Sequence, residues 1–278
     1  MNIPKVAAIH DLSSYGRCSL SVIAPVLSSM GVQCLALPTA VLSTHTGGFT
    51  GMAICDLSDF LRQTLEHWKQ TGVTCDCVYS GFLAGDNQID IVKEYIKYYK
   101  DAMIVVDPVL GDNGHLYQTC TNELLLRMKE LITHADIITP NITELCLLLD
   151  KPYSQRLSLD CAFEYLEQLS QKSGVKKIVL TGVILQEEML SNIAYDSITK
   201  EFFVTGSKQI SENYPGTGDI FTSVVVAQLV NGKTLDKAVR KAADFTSKCI
   251  EKTFEKGIEP RQGVLLESIL SKETYNEQ

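Results

Sequence analysis

The sequence predicts an α/β fold: a three-layer α/β/α sandwich with a mostly parallel central sheet, helices on both faces and an antiparallel hairpin near the C-terminal part. Apolar runs of strand length alternate with amphipathic stretches of helix length from Lys5 to Gly182. The strand-length runs are apolar throughout, as strands covered on both faces are. After Thr181 the rhythm changes to two strand-like runs around a polar turn, and then to helices.

The first strand is "KVAAIH", followed by the helix "SLSVIAPVLSSMG" and the strand "VQCLALPTAV". The helix "DLSDFLRQTLEHWKQTG", strand "CDCVYSG", helix "NQIDIVKEYIKYYK", strand "AMIVVDP" and helix "NELLLRMKELITH" continue the alternation. Then come the strand "DIITP", the helices "TELCLLLD" and "LDCAFEYLEQLSQKSG", and the strand "KKIVLTG". "SNIAYDSITKEFFVTG" reads as an antiparallel hairpin turning at Asp196 to Lys200. In "DIFTSVVVAQLVNG" valine propensity favours a strand. Its place after a glycine turn, its apolar character all round and the Asn231-Gly232 stop favour a buried helix instead. A second helix, "TLDKAVRKAADFTSKCIEKT", follows. No linker, composition shift or repeat divides the chain, so residues 1–278 are expected to form one domain.

A formal charge of −8, with no cluster of Lys or Arg, argues against nucleic acid as a partner and for a small molecule. No run approaches the roughly 20 apolar residues that span a bilayer, and the N-terminus lacks a signal-peptide pattern. No membrane association and a cytoplasmic location are therefore expected. Nine scattered cysteines fit reduced thiols better than a disulfide framework. Cys75 and Cys77 have no second pair or neighbouring His to complete a zinc site.

In an open parallel sheet, ligands bind beyond the carboxyl ends of the strands. Those ends here carry "IHDLSS", "STHTGGF", "SGFLAGD", "DPVLGDNG", "TPNITE" and Thr181-Gly182. Asp107 and Asp112 are placed to present carboxylates to a divalent ion beside phosphates, although D-P and G-D-N-G are also ordinary turn formers. Asn141 and Glu144 have the spacing of a capping box, the commoner role, yet a first-turn Glu there also reaches a metal-bound water. His45 has no accompanying nucleophile motif, so a polar loop contact shared with Thr46 is the better reading. Phe82 is either packing or a stacking partner for a flat ring. "YPGTGDIF" opens the buried helix with two glycines and Asp219, which serves equally as a helix cap or as an anion site with a base beside it. P-loop, protein-kinase and dinucleotide-binding signatures are absent.

Taken together, "HTGG" after the second strand, "DPVLGD", "TPNITE" and "PGTGD" opening a buried helix resemble the ribokinase-like superfamily, and within it the pyridoxal (vitamin B6) kinases. The resemblance runs from Val6 to Thr253. It implies an ATP-dependent kinase that phosphorylates the 5′-hydroxymethyl group of pyridoxal, pyridoxine or pyridoxamine. Asp219 would be the base, and Gly216, Thr217 and Gly218 the anion hole. Asp107 and Glu144 would organise Mg²⁺ through waters, while Asn141, Thr181 and Asp112 would lie along ATP. Thr139, with Asp107 and Thr181, would hold a monovalent cation such as K⁺. Asp11, His45, Thr46 and Phe82 would surround the pyridine ring, "GDNGHLYQ" would be a mobile flap, and family analogy implies a homodimer. At two positions the pattern differs: Asp11 stands where the family usually has Ser, and Phe82 where it often has Tyr. Hydroxymethylpyrimidine kinase is the nearest alternative, and a non-catalytic B6-binding protein on the same fold is the alternative of another class.

Overall fold

The elements follow in the order β1 (Lys5–Ser13), α1 (Leu20–Ser29), β2 (Gln33–Leu42), β3 (Ile54–Asp56), α2 (Ser58–Thr71), β4 (Cys77–Ser80), α3 (Asn87–Tyr98), β5 (Met103–Val106), β6 (Gly111–Asp112), β7 (His115–Leu116), α4 (Asn122–Leu131), β8 (Ile137–Ile138), α5 (Ile142–Leu149), α6 (Leu159–Ser173), β9 (Lys177–Gln186), β10 (Met189–Asp196), β11 (Glu201–Lys208), α7 (Thr217–Val230), α8 (Leu235–Glu255) and α9 (Glu267–Tyr275). This computed structural model describes residues 3–186, 189–208, 210 and 212–275, with the backbone alone at 186, 207, 208 and 272–275.

Nine strands pair in the order β3-β2-β1-β4-β5-β8-β9-β10-β11. The run from β2 to β9 is parallel; β3, β10 and β11 are antiparallel to their neighbours. The apolar character of the parallel strands follows from burial on both faces. In β1, Ala7 and Ile9 join one core while Val6 and Ala8 join the other, and Val78 is likewise separated from Cys77 and Tyr79 in β4. The first core is completed by α2 to α6, the second by α1, α7, α8 and α9. This is the expected three-layer sandwich.

The valine-rich segment is a helix, α7, with every residue from Ile220 to Ala227 buried. Tertiary burial outweighs the β-propensity of three consecutive valines, because a helix satisfies its own backbone in an apolar interior. Among the described residues, no helix is long and apolar enough to cross a membrane. All nine cysteines are free thiols.

Three expectations need correction. The first strand does not stop at His10; it continues to Ser13 after a bulge between His10 and Leu12, so Asp11 belongs to the strand. The strand containing Thr181 also continues, to Gln186, and pairs with β10; the expected hairpin is therefore the outer part of a three-stranded antiparallel extension. Its polar "TG" marks a bulge, where the Asn192 side chain accepts from the Gly182 N–H at 3.2 Å, rather than an end. The short edge strand β3 and helix α9 went unrecognised, having three and nine residues and little apolar patterning.

Candidate active site

β1 pairs with β2 on one side and with β4 on the other, so successive crossovers run in opposite directions from it. A crevice forms at such a switch point beyond the carboxyl ends of the strands. Here it is a cavity of about 590 Å³, and every site residue expected from the sequence lines it: Asp11, His45, Thr46, Phe82, Asp107, Asp112, Thr139, Asn141, Glu144, Thr181, Gly216, Thr217, Gly218 and Asp219.

The N-terminus of α7 forms one wall. Gly216 has φ +83°, and a Cβ there would lie 2.2 Å from the Arg17 carbonyl oxygen, so only glycine permits this approach. At Gly218, which also lines the cavity, an added Cβ would meet nothing within 4 Å beyond its chain neighbours and its own helix backbone. The first intrahelical bond is Ile220 N–H to Gly216 O at 3.0 Å. The N–H groups of residues 216–219 thus precede the ladder and suit an anion. The Thr217 hydroxyl donates to Tyr214 O at 3.1 Å, leaving its backbone N–H as the group for a ligand.

Asp219 does not cap its own helix. Its Oδ2 accepts the Ser19 backbone N–H at 2.8 Å and the Cys18 thiol at 3.4 Å, from the loop before α1. That loop is itself tied down, since the Arg17 N–H donates to Gln262 O and the Arg17 guanidinium to Glu267. Burial raises the Asp219 pKa to about 6, with Asp11 adding to it and the Ser19 and Cys18 donors opposing it. The carboxylate is therefore ionised at neutral pH yet a better proton acceptor than an exposed aspartate.

Across the cavity, Asn141 and Glu144 make a complete capping box: Asn141 Oδ1 accepts from Glu144 N–H at 3.0 Å, and Glu144 Oε2 from Asn141 N–H at 2.8 Å. The remaining Glu144 oxygen accepts from Leu110 N–H at 3.0 Å, and Asn141 Nδ2 donates to Gly111 O at 2.8 Å. The capping role is thus present, and it also fastens α5 to the base of the segment 110–117. That segment is a small hairpin, β6-β7, turned by Asn113 (φ 51°) and Gly114 (φ 80°), the dihedral signs of a type I′ turn. Gly114 N–H donates to Thr143 Oγ1 at 2.9 Å, and Asp112 accepts from Asn113 N–H at 2.8 Å and Asn113 Nδ2 at 3.0 Å.

Asp107, at the end of β5, is almost wholly buried. Its pKa lies well above the carboxylate range because of burial first, then the nearby charges of Glu144 and Asp219. Val109 holds φ 37°, an outlier for a β-branched residue, and its backbone N–H bonds this carboxylate. Thr139 is buried beside it in the fold order, and its Oγ1 accepts from the Thr222 hydroxyl at 3.1 Å. Thr181 N–H donates to Pro140 O at 2.9 Å.

On the opposite side, Asp11 is buried and accepts from the Ser13 hydroxyl at 2.9 Å; burial raises its pKa. His45 has both nitrogens engaged: Gly47 N–H donates to Nδ1 at 3.1 Å, which assigns the proton to Nε2, a donor to Arg261 O at 2.7 Å. The ring is thereby a fixed wall, with no free nitrogen for a substrate. Phe82 is packed with its carbonyl accepting from Thr39 Oγ1 at 3.0 Å, and Thr46 is half-buried at the cavity edge.

Charge decides what the cavity fits. Six of its described lining residues are Asp or Glu, and none is Lys or Arg. A polyphosphate cannot be neutralised there by side chains alone. No cluster of three or more His, Cys, Asp or Glu suited to a metal occurs among the described residues. The donor set, two buried carboxylates among hydroxyls, fits Mg²⁺, which keeps several waters and takes one or two carboxylates plus substrate phosphates.

The same charges have a measurable consequence for stability. Glu144 is raised from 4.5 to about 7, mainly by burial, and Asp219 from 3.8 to about 6. Folded-state values above the unfolded ones mean that the folded chain binds more protons in between. Stability from these groups is full below pH about 4 and falls as pH rises towards about 7. Added Mg²⁺ is therefore expected to raise the Tm more at pH 8 than at pH 5, by roughly 2–4 °C per kcal/mol recovered. Thermal scans of the wild type and Glu144→Gln check this; an equal rise at both pH values, or an undiminished difference in Glu144→Gln, contradicts it.

The residues that went unrecognised in the sequence are Cys18 and Ser19, which hold Asp219, and Thr222, which bonds Thr139. Gly16 in "SSYGRCS" is the sole local signal of the first two, since it marks a turn but not what the turn faces.

With this geometry, three comparisons agree in class. The family model described as phosphomethylpyrimidine kinase matches residues 25–263. The fold superposes on pyridoxal kinase from Lactobacillus plantarum with a TM-score of 0.90 at 30% identity, over 99% of this chain and 98% of that one. It superposes on a Bacteroides thetaiotaomicron protein, provisionally named a phosphomethylpyrimidine kinase and crystallised with pyridoxal, with a TM-score of 0.92 at 42% identity, over 98% and 96% of the two chains. In sequence it is 29% identical over 287 residues to a provisionally named pyridoxal kinase of Schizosaccharomyces pombe, covering 92% of this chain and 88% of that protein. It also matches, at 24% identity, 44% of the length of a provisionally named thiamine biosynthetic bifunctional enzyme of Oryza sativa.

Proposed function

The chain belongs to the phosphomethylpyrimidine kinase family, of ribokinase-like fold, and we propose that its acceptor is a vitamin B6 vitamer, phosphorylated on the 5′-hydroxymethyl group. As an ATP-dependent phosphotransferase, it needs positioning and charge neutralisation more than covalent help. The observation that carries the reading is the pairing of an open helix N-terminus at Gly216 to Gly218 with a buried Asp219 whose pKa is about 6.

Asp219 accepts the proton of the substrate hydroxyl as the oxygen–phosphorus bond forms and the bond to the leaving ADP breaks. The backbone N–H groups of residues 216–218 donate to the transferred phosphoryl oxygens, where charge develops. Asn141, Thr181 and Asp112 lie along the nucleotide. Asp107 and Glu144 would hold Mg²⁺ through waters, and Thr139, with Asp107 and Thr181, would offer oxygens to a monovalent cation such as K⁺. Bound Mg²⁺ supplies charge neutralisation on the phosphates. Phe82 and the fixed His45 ring bound a flat slot for the heteroaromatic ring, with Thr46 and Asp11 as polar contacts. Residues 1–278 act as one domain, and the assembly is a homodimer in the cytoplasm.

Hydroxymethylpyrimidine is the second reading, favoured by the family model and by a buried carboxylate, Asp11, where the B6 branch usually has Ser. Phosphorylation of the three vitamers and hydroxymethylpyrimidine with ATP and Mg²⁺ separates the two. The wild type is expected to favour a B6 vitamer. Asp11→Ser is expected to reduce any pyrimidine activity at least about tenfold, the size of one charged hydrogen bond, while keeping or raising pyridoxal activity. A wild type that acts on the pyrimidine alone refutes the B6 assignment.

A further inference from the structure

His10 precedes Asp11 on β1, is completely buried, and has no hydrogen-bond partner at either ring nitrogen among the described residues. Its ring meets Tyr79 edge-on, with centroids 4.3 Å apart. Residue 81 leaves space for the ring by being glycine, since a Cβ there would stand 2.1 Å from His10 Cε1. The ring is therefore gripped by packing. Burial lowers its pKa to about 3, so it is a neutral imidazole with one N–H and one lone pair. Leaving both unsatisfied in the interior is costly, and such exceptions concentrate where function requires them.

The ring faces the catalytic carboxylate, with Nδ1 4.0 Å from Asp219 Oδ1. Oδ2 is already held by Ser19 N–H and the Cys18 thiol, whereas no described group donates to Oδ1. We propose that His10 is a positioning residue for the base: when substrate binds, the 4.0 Å gap closes to a hydrogen bond from Nδ1–H to Oδ1. Catalytic hydrogen bonds are often long in the free enzyme and tighten in the substrate complex. The carboxylate plane is then fixed from both sides, by Ser19 and Cys18 on Oδ2 and His10 on Oδ1, and Oδ1 keeps a lone pair for the incoming hydroxyl. The groups facing Asp219 are Asp11 from β1, Cys18 from the loop before α1, Tyr79 from β4 and Asp107 from β5, besides His10 itself. Asp11 and Asp107 oppose its charge, so a donor on Oδ1 acts against them.

The inference rests on Asp219 being the base, and the test separates the two. With ATP, Mg²⁺ and pyridoxal, His10→Leu is expected to lower kcat about tenfold or more and to move the acid limb of the pH profile up by about one unit. KM values should stay within about twofold. His10→Asn, whose side-chain N–H sits where Nδ1–H does, should restore kcat to within about threefold and return the midpoint. A wild-type profile in His10→Leu, or an Asn variant as impaired as Leu, overturns the proposal. Because His10→Leu can misfold, ¹⁵N-histidine spectra of the unaltered chain with a non-hydrolysable ATP analogue and pyridoxal give an independent measurement. The Nδ1–H tautomer is expected at His10, and the Nε2–H tautomer overturns the proposal. A wild type that phosphorylates none of the substrates instead removes the reading of Asp219 on which it stands.

Discussion

Asp219→Asn is expected to lower kcat by about 10²–10⁴-fold, the usual contribution of a positioned general base, with little change in KM. The wild-type kcat should fall about tenfold per pH unit below a midpoint near 6, and this limb should be absent from the variant. The fold should not suffer. An asparagine oxygen still accepts from Ser19 N–H, and removing a buried carboxylate whose pKa is raised leaves the Tm unchanged or higher above pH 6. Steady-state kinetics and a thermal scan on the same preparation read both effects. Full activity in Asp219→Asn, or inactivity accompanied by a collapsed Tm, contradicts the role assigned here.

The two glycines of "GTG" should separate in the opposite senses of stability and activity. Gly216→Ala forces an L-residue to φ +83° and drives a Cβ to 2.2 Å from the Arg17 carbonyl oxygen, which is rigid backbone. About 1–2 kcal/mol comes from the left-handed backbone and a further 1–3 from the overlap, so the Tm should drop by several degrees and activity with it. Gly218→Ala adds a Cβ that meets nothing beyond its chain neighbours and its own helix backbone, in a helix where alanine is favoured by about 1 kcal/mol. Its Tm should hold or rise. Because residue 218 lines the cavity at the helix end proposed to cradle the phosphoryl group, kcat/KM should nonetheless fall at least about tenfold. If Gly218→Ala phosphorylates at the wild-type rate, the helix N-terminus is not the phosphate cradle.

How much of this was legible varies with the range of the interaction. The parallel sheet was readable because double-sided burial writes a continuous apolar run, as in "AMIVVDP" and "KKIVLTG". The positions of Asp107 and Asn141 followed, since each stands at the end of such a run, whereas Thr181 interrupts one. The extension of β1 to Ser13 and of β9 to Gln186 was not readable: both continue past polar residues at a bulge, where pairing to a neighbour carries the strand across the break in the apolar pattern. The same limit applies to His45, whose two nitrogens are occupied by Gly47 in its own loop and by Arg261, 216 residues away.

The sequence by itself determined the sandwich architecture, the order of strand ends that carry chemistry, the glycine turn opening α7 and the candidate side chains around the cavity. These are written locally, in apolar period and turn chemistry, and each is read within one element. Only the tertiary structure decided which partner each polar group keeps. It gave Asp219 to Ser19 and Cys18 rather than to its own helix, committed Glu144 to the backbone of residues 110 and 141, and left His10 buried beside Asp219 with neither ring nitrogen hydrogen-bonded among the described residues. Proton affinity and orientation depend on burial and on donors brought from distant segments, so they arise only once the chain has folded.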